Sequence, residues 1–176
     1  VENPATEPRM LSKAERDAVH ERHWSLVGRV AQNSASVEMS LRSLMIGLLD
    51  SKYAGIIAAG QSASDLIENC LALMQANQEI SDEARERGQN LLRSLRPLFA
   101  QRNNVVHAPW FSATREDDLT ETISLVSKRR APLRPTVINY AEVEKLSSDL
   151  NEAIGKLWDW TYGEVGEAAR RPQVNY

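Results

Sequence analysis

From Ser12 to about Leu49, Val19, His23, Leu26, Val30, Val37, Leu41, Leu44 and Leu48 fall close to three-and-four spacing, with no proline between them. That period keeps the side chains on one face, so the stretch is predicted to be one long amphipathic helix. Ser12 followed by Glu15 fits a capping box at its start, where each side chain satisfies an unpaired backbone donor of the first turn. Asp50 and Ser51 offer a break, after which Tyr53 to Ala59 reads as a short helical piece ending at Gly60. A second clear helix is expected from Ser62 or Ser64 to Ala76, burying Leu66, Ile67, Cys70, Leu71 and Met74. The third starts near Ser81, where Asp82 and Glu83 suit the positive end of a helix dipole. It runs through Leu91, Leu92, Leu95, Leu98 and Phe99 toward Val105 and Val106, and Pro97 within it is expected to kink or divide it.

After Pro109 the texture changes to a charged loop, Thr114 to Asp118, and then to two β-prone runs, Thr122 to Leu125 and Thr136 to Tyr140, which predict a β-hairpin. Its connecting segment carries Lys128, Arg129, Arg130 and Arg134 with no acidic residue, the strongest local basic cluster in the chain. Asn139 followed by Glu142 resembles a second capping box. The last helix it opens has an apolar stripe of Val143, Leu146, Leu150, Ile154, Leu157 and Trp158, and ends near Gly163 or Gly166. The expected fold is all-α: a bundle of four to five helices with a small β-hairpin before the last one. It is read as a single domain over residues 1–166, followed by a frayed tail, 167–176.

Composition narrows the function classes. With 176 residues, 42% of them apolar, the chain can bury one sizeable core. Its 21 basic and 24 acidic side chains leave a net charge of -3, so any nucleic acid must be met by a local patch rather than a global positive field. A single cysteine excludes an internal disulfide and a multi-thiolate zinc site, and Cys70 reads as a core residue. The longest apolar runs, Leu44 to Leu49 and Tyr53 to Ala59, are far shorter than the roughly 20 residues that cross a bilayer. Val1 to Arg9 lacks the apolar core of a secretory signal, so a soluble cytoplasmic protein with no membrane partner is expected. No glycine-rich phosphate loop and no Ser-His-Asp signature is present, and no cofactor is expected.

The three histidines separate by context. His20 and His23 lie three apart on the first helix without an obvious third ligand, so they read as partly exposed helix residues and no metal site is expected. His107 closes the segment Gln101-Arg102-Asn103-Asn104-Val105-Val106-His107-Ala108-Pro109-Trp110 at the end of the third helix. Asn103, four residues earlier, shares its face and is placed to orient the imidazole, and the long Arg102 side chain can swing toward it. An imidazole can both accept and donate a proton, while a permanently charged, fork-shaped guanidinium suits a phosphate oxygen. These are the groups that metal-independent RNA cleavage requires: a base for the 2′-hydroxyl, a cation for the phosphorane and an acid for the leaving 5′-oxygen. One copy supplies too few of them. Two copies across a two-fold axis supply two histidines and two arginines, which predicts a homodimer.

The run Arg102-Asn103-Asn104-Val105-Val106-His107 resembles the motif of the HEPN superfamily, helical-bundle domains bearing an Arg, four to six residues, then a His, often as Arg-Asn with a short gap before the His. The resemblance implies a metal-independent endoribonuclease, usually dimeric, of the kind found among toxins of toxin–antitoxin systems and in phage defence. It implies Arg102 and His107 as catalytic, Asn103 as the polar residue following the Arg, and an antitoxin or regulatory protein as a partner. An acidic side chain from an earlier helix assists some family members, and Glu38 and Glu68 are the candidates here. The basic cluster at Lys128, Arg129, Arg130 and Arg134 is a candidate guide for an RNA backbone. Two alternatives stand beside this one: a noncatalytic helical module binding a partner chain through its apolar stripes and Trp158 or Trp160, and a nucleotide-binding regulatory bundle that uses the same Arg and His without turnover.

Overall fold

The computed structural model describes the backbone of residues 9–107, 110–111, 121–126 and 134–164, and the side chains of residues 9–107 and 139–163. Five α-helices dominate: α1 Lys13–Leu49, α2 Ala54–Ala58, α3 Ala63–Ala76, α4 Asp82–Val106 and α5 Tyr140–Asp159, the last continued by a π-helical turn, Trp160–Glu164. The chain is thus mainly helical, as the apolar stripes lead one to expect. Between α4 and α5, the described backbone forms three short antiparallel strands, β1 Trp110–Phe111, β2 Glu121–Val126 and β3 Arg134–Asn139, in the order β1-β2-β3. Glu121 pairs with Asn139 and Val126 with Arg134. The connection between β2 and β3, residues 127–133, lies outside the described residues, as does the expected tail, 167–176.

The helix starts follow from local side-chain chemistry. The Ser12 amide donates to Glu15 Oε2 at 2.8 Å, and the Glu15 amide to Ser12 Oγ at 3.3 Å. Arg9 adds a fork onto both Glu15 oxygens at 3.2 and 2.7 Å. The Arg9 guanidinium and then the Ser12 donors hold the Glu15 carboxyl down to about 2. Ser62 and Asp65 make the same reciprocal box at the start of α3, and at α5 the Asn139 amide reaches Glu142 Oε2 at 3.4 Å. Asp50, with φ 44°, breaks the chain after α1, and Gly60, with φ +72°, turns it after α2. The left-handed region is open to glycine, and to aspartate among few other residues. Of the two outcomes expected at Pro97, a kink or a division, the division does not occur: α4 runs unbroken across it. The proline ring removes one backbone bond, to the carbonyl four residues earlier, while Leu92, Leu95 and Phe99 remain buried around it.

Two compact units divide the chain: Val1–Ala31 with Arg102–Ser147, and Gln32–Gln101 with Ser148–Tyr176. In the first, Leu11, Leu26, Val30, Val105, Tyr140, Val143 and Leu146 are buried, together with the polar side chains of His23 and Ser147. The His23 ring lies edge-on to Trp24, with centroids 5.4 Å apart, and 6.1 Å from Tyr140. The Arg22 guanidinium sits 5.1 Å from the Tyr140 centroid and 3.3 Å from Glu144. His20 is exposed, but His23 is not the partly exposed residue expected: its position in the apolar stripe of α1 takes it into the interior.

Burial, and secondarily the neighbouring His20, lowers the His23 pKa from 6.5. As pH falls through that ordinary value the unfolded chain takes up the proton before the folded one, so this contribution to stability is complete above 6.5 and is lost below it. The melting temperature is expected to fall between about pH 7.5 and pH 5.5, by no more than about 1.4 kcal/mol of stability per pH unit from this one proton. His23→Leu should flatten the His23 part of that slope, and an unchanged slope would remove His23 as its source.

In the second unit the core is built from Val37, Leu41, Leu44, Met45 and Leu48 of α1, Leu66, Ile67, Cys70 and Met74 of α3, Leu92, Leu95 and Phe99 of α4, and Leu150, Leu157 and Trp160 at the end of the chain. Arg85 fastens the α3–α4 turn. Its Nε donates to the Met74 carbonyl at 3.1 Å, and its Nη2 donates to the carbonyls of Asn77 and Ile80 at 2.9 Å each, while Nη1 pairs with Asp82. These charge-assisted bonds satisfy the carbonyls around the C-terminus of α3, which the helix itself leaves without partners. Arg85→Ala is expected to cost about 2 kcal/mol. Arg85→Lys should recover less than half, because a compact ammonium lacks the fork that spans three carbonyls. Denaturant titration of both variants checks this, and equal stability of the lysine variant and the parent would contradict it.

Candidate functional site

The last turns of α4 present Arg102, Asn103 and His107. Val105 is buried and anchors this end of the helix, which leaves Asn103, Asn104 and His107 exposed and Arg102 half-buried. The His107 amide still donates to the Asn103 carbonyl at 3.2 Å, so its backbone is held by the helix it follows. Residues five apart are rotated about 140° around an ideal helix, yet the reach of the arginine closes the gap. Arg102 Nη1 lies 2.9 Å from His107 Nε2. The same nitrogen donates to Asn103 Oδ1 at 3.0 Å. Asn103 was expected to orient the imidazole; its side-chain oxygen instead takes the guanidinium, and the guanidinium meets the ring.

A guanidinium carries donors only, so the 2.9 Å contact makes Nε2 the acceptor and puts the proton of a neutral ring on Nδ1. The arrangement brings together a fixed positive charge, an imidazole nitrogen bearing a lone pair, and an amide that positions the charge. Chemically it can bind an oxyanion and exchange a proton beside it.

Lys128, Arg129 and Arg130 lie outside the described residues, and Arg134 opens β3 with its side chain outside the description. Glu38 pairs with Arg42 at 3.4 Å and Glu68 with Arg96 at 2.5 Å, both within the second unit. Cys70 is fully buried, its thiol 3.6 Å from the Leu41 carbonyl, and burial pushes its pKa up to about 12. That environment holds the sulfur as the unreactive thiol. Among the described residues, no group of three or more His, Cys, Asp or Glu side chains is placed to hold a metal, and no helix is long and apolar enough to cross a membrane.

The two tryptophans singled out as partner-binding residues part company. Trp160 is buried, and its indole Nε1 donates to the Ala84 carbonyl at 3.0 Å, which removes it as a surface contact. Trp158, assigned to the buried stripe of α5, is instead 58% exposed. Its ring lies 4.3 Å from that of Tyr162, and both line a shallow groove with Met39, Leu157 and the hydroxyl-bearing Ser40, Ser43 and Thr161. This groove went unread in the sequence because it joins residues of α1 to residues more than a hundred positions later. No protein-family model, curated protein or solved structure matches the chain.

Proposed function

We propose that this protein is a HEPN-like, metal-independent endoribonuclease acting as a homodimer, in which Arg102 holds the scissile phosphate and His107 moves the protons. The single observation that carries the reading is the contact of Arg102 Nη1 with His107 Nε2 at 2.9 Å, which sets phosphate recognition and proton transfer within one hydrogen-bond length of each other. In the reaction Nε2 takes the proton of a 2′-hydroxyl, O2′ forms a bond to phosphorus, and the bond from phosphorus to O5′ breaks. The 5′-oxygen leaves with a proton supplied by a second acid. Products are a 2′,3′-cyclic phosphate and a 5′-hydroxyl, and no bond is oxidised or reduced. Arg102 counters the charge that builds on the phosphorane oxygens.

One imidazole cannot be the unprotonated base and the protonated acid in the same step, which is the argument for two copies facing one substrate. Electrostatics adds to it. The C-terminal end of α4 carries the negative end of the helix dipole, a penalty of about 0.3–1 kcal/mol against an anion, and two guanidinia offset it better than one. Lys128, Arg129, Arg130 and Arg134, carried on the hairpin read from the sequence, complete the reading as a guide for the RNA backbone. A toxin or phage-defence role in the cytoplasm, with an antitoxin as partner, belongs to the same proposal.

The test is cleavage of unstructured RNA by the purified chain in excess EDTA, beside the same sequence made with 2′-deoxyribose. Cleavage of the first and not the second is expected. Cleavage only after a divalent metal is restored would overturn the proposal. A second reading, a noncatalytic protein-interaction module, is favoured by the exposed groove of Met39, Trp158 and Tyr162. It predicts a stable complex lost on Trp158→Ala, with no RNA cleavage.

A further inference from the structure

We infer that Arg102 is a latch on His107: in the resting site it caps the imidazole lone pair, and a phosphate oxyanion releases it. The inference deepens the ribonuclease reading, on which it rests for the identity of its substrate, by assigning the order in which substrate groups are recognised. While Arg102 Nη1 donates to Nε2 at 2.9 Å, that nitrogen cannot take a proton from anything else. The two hydrogens of Nη1 are then divided between Nε2 and Asn103 Oδ1, the latter at 3.0 Å. Asn103 is therefore a positioning residue, holding the guanidinium where it caps the ring.

Asn103 Oδ1 and His107 Nε2 are neutral acceptors. A phosphate oxygen bears a full negative charge and matches the guanidinium fork, and charge-assisted bonds of this type are roughly twice as strong as neutral ones. An incoming oxyanion thus competes for Nη1 on favourable terms. Displacement uncovers Nε2 in the same event that seats the phosphate within about 6 Å of it, two hydrogen-bond lengths away. The base becomes available only once a phosphate is present, so the site does not act on hydroxyl groups that arrive without one.

The experiment is a long-range ¹H–¹⁵N correlation spectrum of the full chain with labelled histidine, at about pH 8 and constant ionic strength, with inorganic phosphate as the probe. His107→Gln assigns the resonances among the three histidines. Without phosphate, His107 is expected as the Nδ1–H tautomer. With saturating phosphate the ring, no longer held, should exchange between that form and Nε2–H, so that Nε2 carries an uncovered lone pair in part of the molecules. Arg102→Ala should show that exchange from the start and no response to phosphate, and Asn103→Ala should lie between the parent and Arg102→Ala. Identical tautomers in the parent and Arg102→Ala, or a parent spectrum indifferent to phosphate, overturns the latch. Cleavage is read separately. If RNA is cut while the tautomer ignores phosphate, only the latch fails; if the tautomer responds and RNA is not cut, only the ribonuclease reading fails.

Discussion

His107→Ala is expected to slow RNA cleavage between about a hundredfold and ten-thousandfold, the range over which a positioned general acid–base contributes. Arg102→Ala should cost about a hundredfold to a thousandfold, as removal of one charge-stabilising donor does elsewhere. Because the two side chains touch, their effects should not add: the double variant is expected to lie near the worse single variant. His107 is exposed at a helix end and Arg102 half-buried, so helical circular dichroism and melting temperature should change little. A parallel loss of helicity and cleavage would mean that the substitutions unfold the chain, and cleavage at the parent rate would remove the residue from the site.

Gly88→Ala is expected to destabilise the protein by about 2–3 kcal/mol, although alanine is the better helix former by about 1 kcal/mol. Packing decides the sign. A Cβ at Gly88 would stand 2.6 Å from Met74 Cε and closer still to the indole of Trp160. The methionine terminus can move aside, but the indole is buried and held by its bond to the Ala84 carbonyl. Displacing it forfeits that bond and leaves a buried N–H without its acceptor, about 1–3 kcal/mol, on top of the overpacking. Melting temperature should fall by roughly 5–10 °C. Gly28→Ala is the internal control: a Cβ there meets nothing within 4 Å, so helix propensity alone should raise stability, by about 0.5–1 kcal/mol. If both alanine variants are stabilised, the close approach of Trp160 to α4 is wrong.

The sequence foretells what is local and periodic. Ser12 with Glu15, and Asn139 with Glu142, locate helix starts because a capping box is a matter of four consecutive residues. Cys70 is readable as core because it falls on the α3 stripe. Trp160 was within reach as well: continuing the three-and-four spacing from Leu146 through Leu150, Ala153 and Leu157 arrives at Trp160 rather than Trp158. The opening at Gly88 that receives the indole lies 72 positions earlier, and nothing in the local pattern links the two. Arg85 resembles any solvated arginine of a polar first turn, since its carbonyl partners are set by the path of the α3–α4 turn and not by residue type.

At the site, helix periodicity correctly placed Asn103 and His107 on neighbouring turns but misassigned the amide's partner. A wheel fixes Cβ directions only. It does not register that a guanidinium reaching across 140° brings two donors to a place where an amide oxygen and an imidazole nitrogen both accept. The sequence therefore nominated the residues, while the hydrogen-bond order among them required coordinates.

The most direct test of the account is the chemistry of the RNA ends made in EDTA by the parent protein and by His107→Ala. The account predicts 2′,3′-cyclic phosphate and 5′-hydroxyl termini from the parent, and their loss with His107→Ala. Termini of 3′-hydroxyl and 5′-phosphate, or the same cyclic ends in undiminished yield without the imidazole, would contradict it.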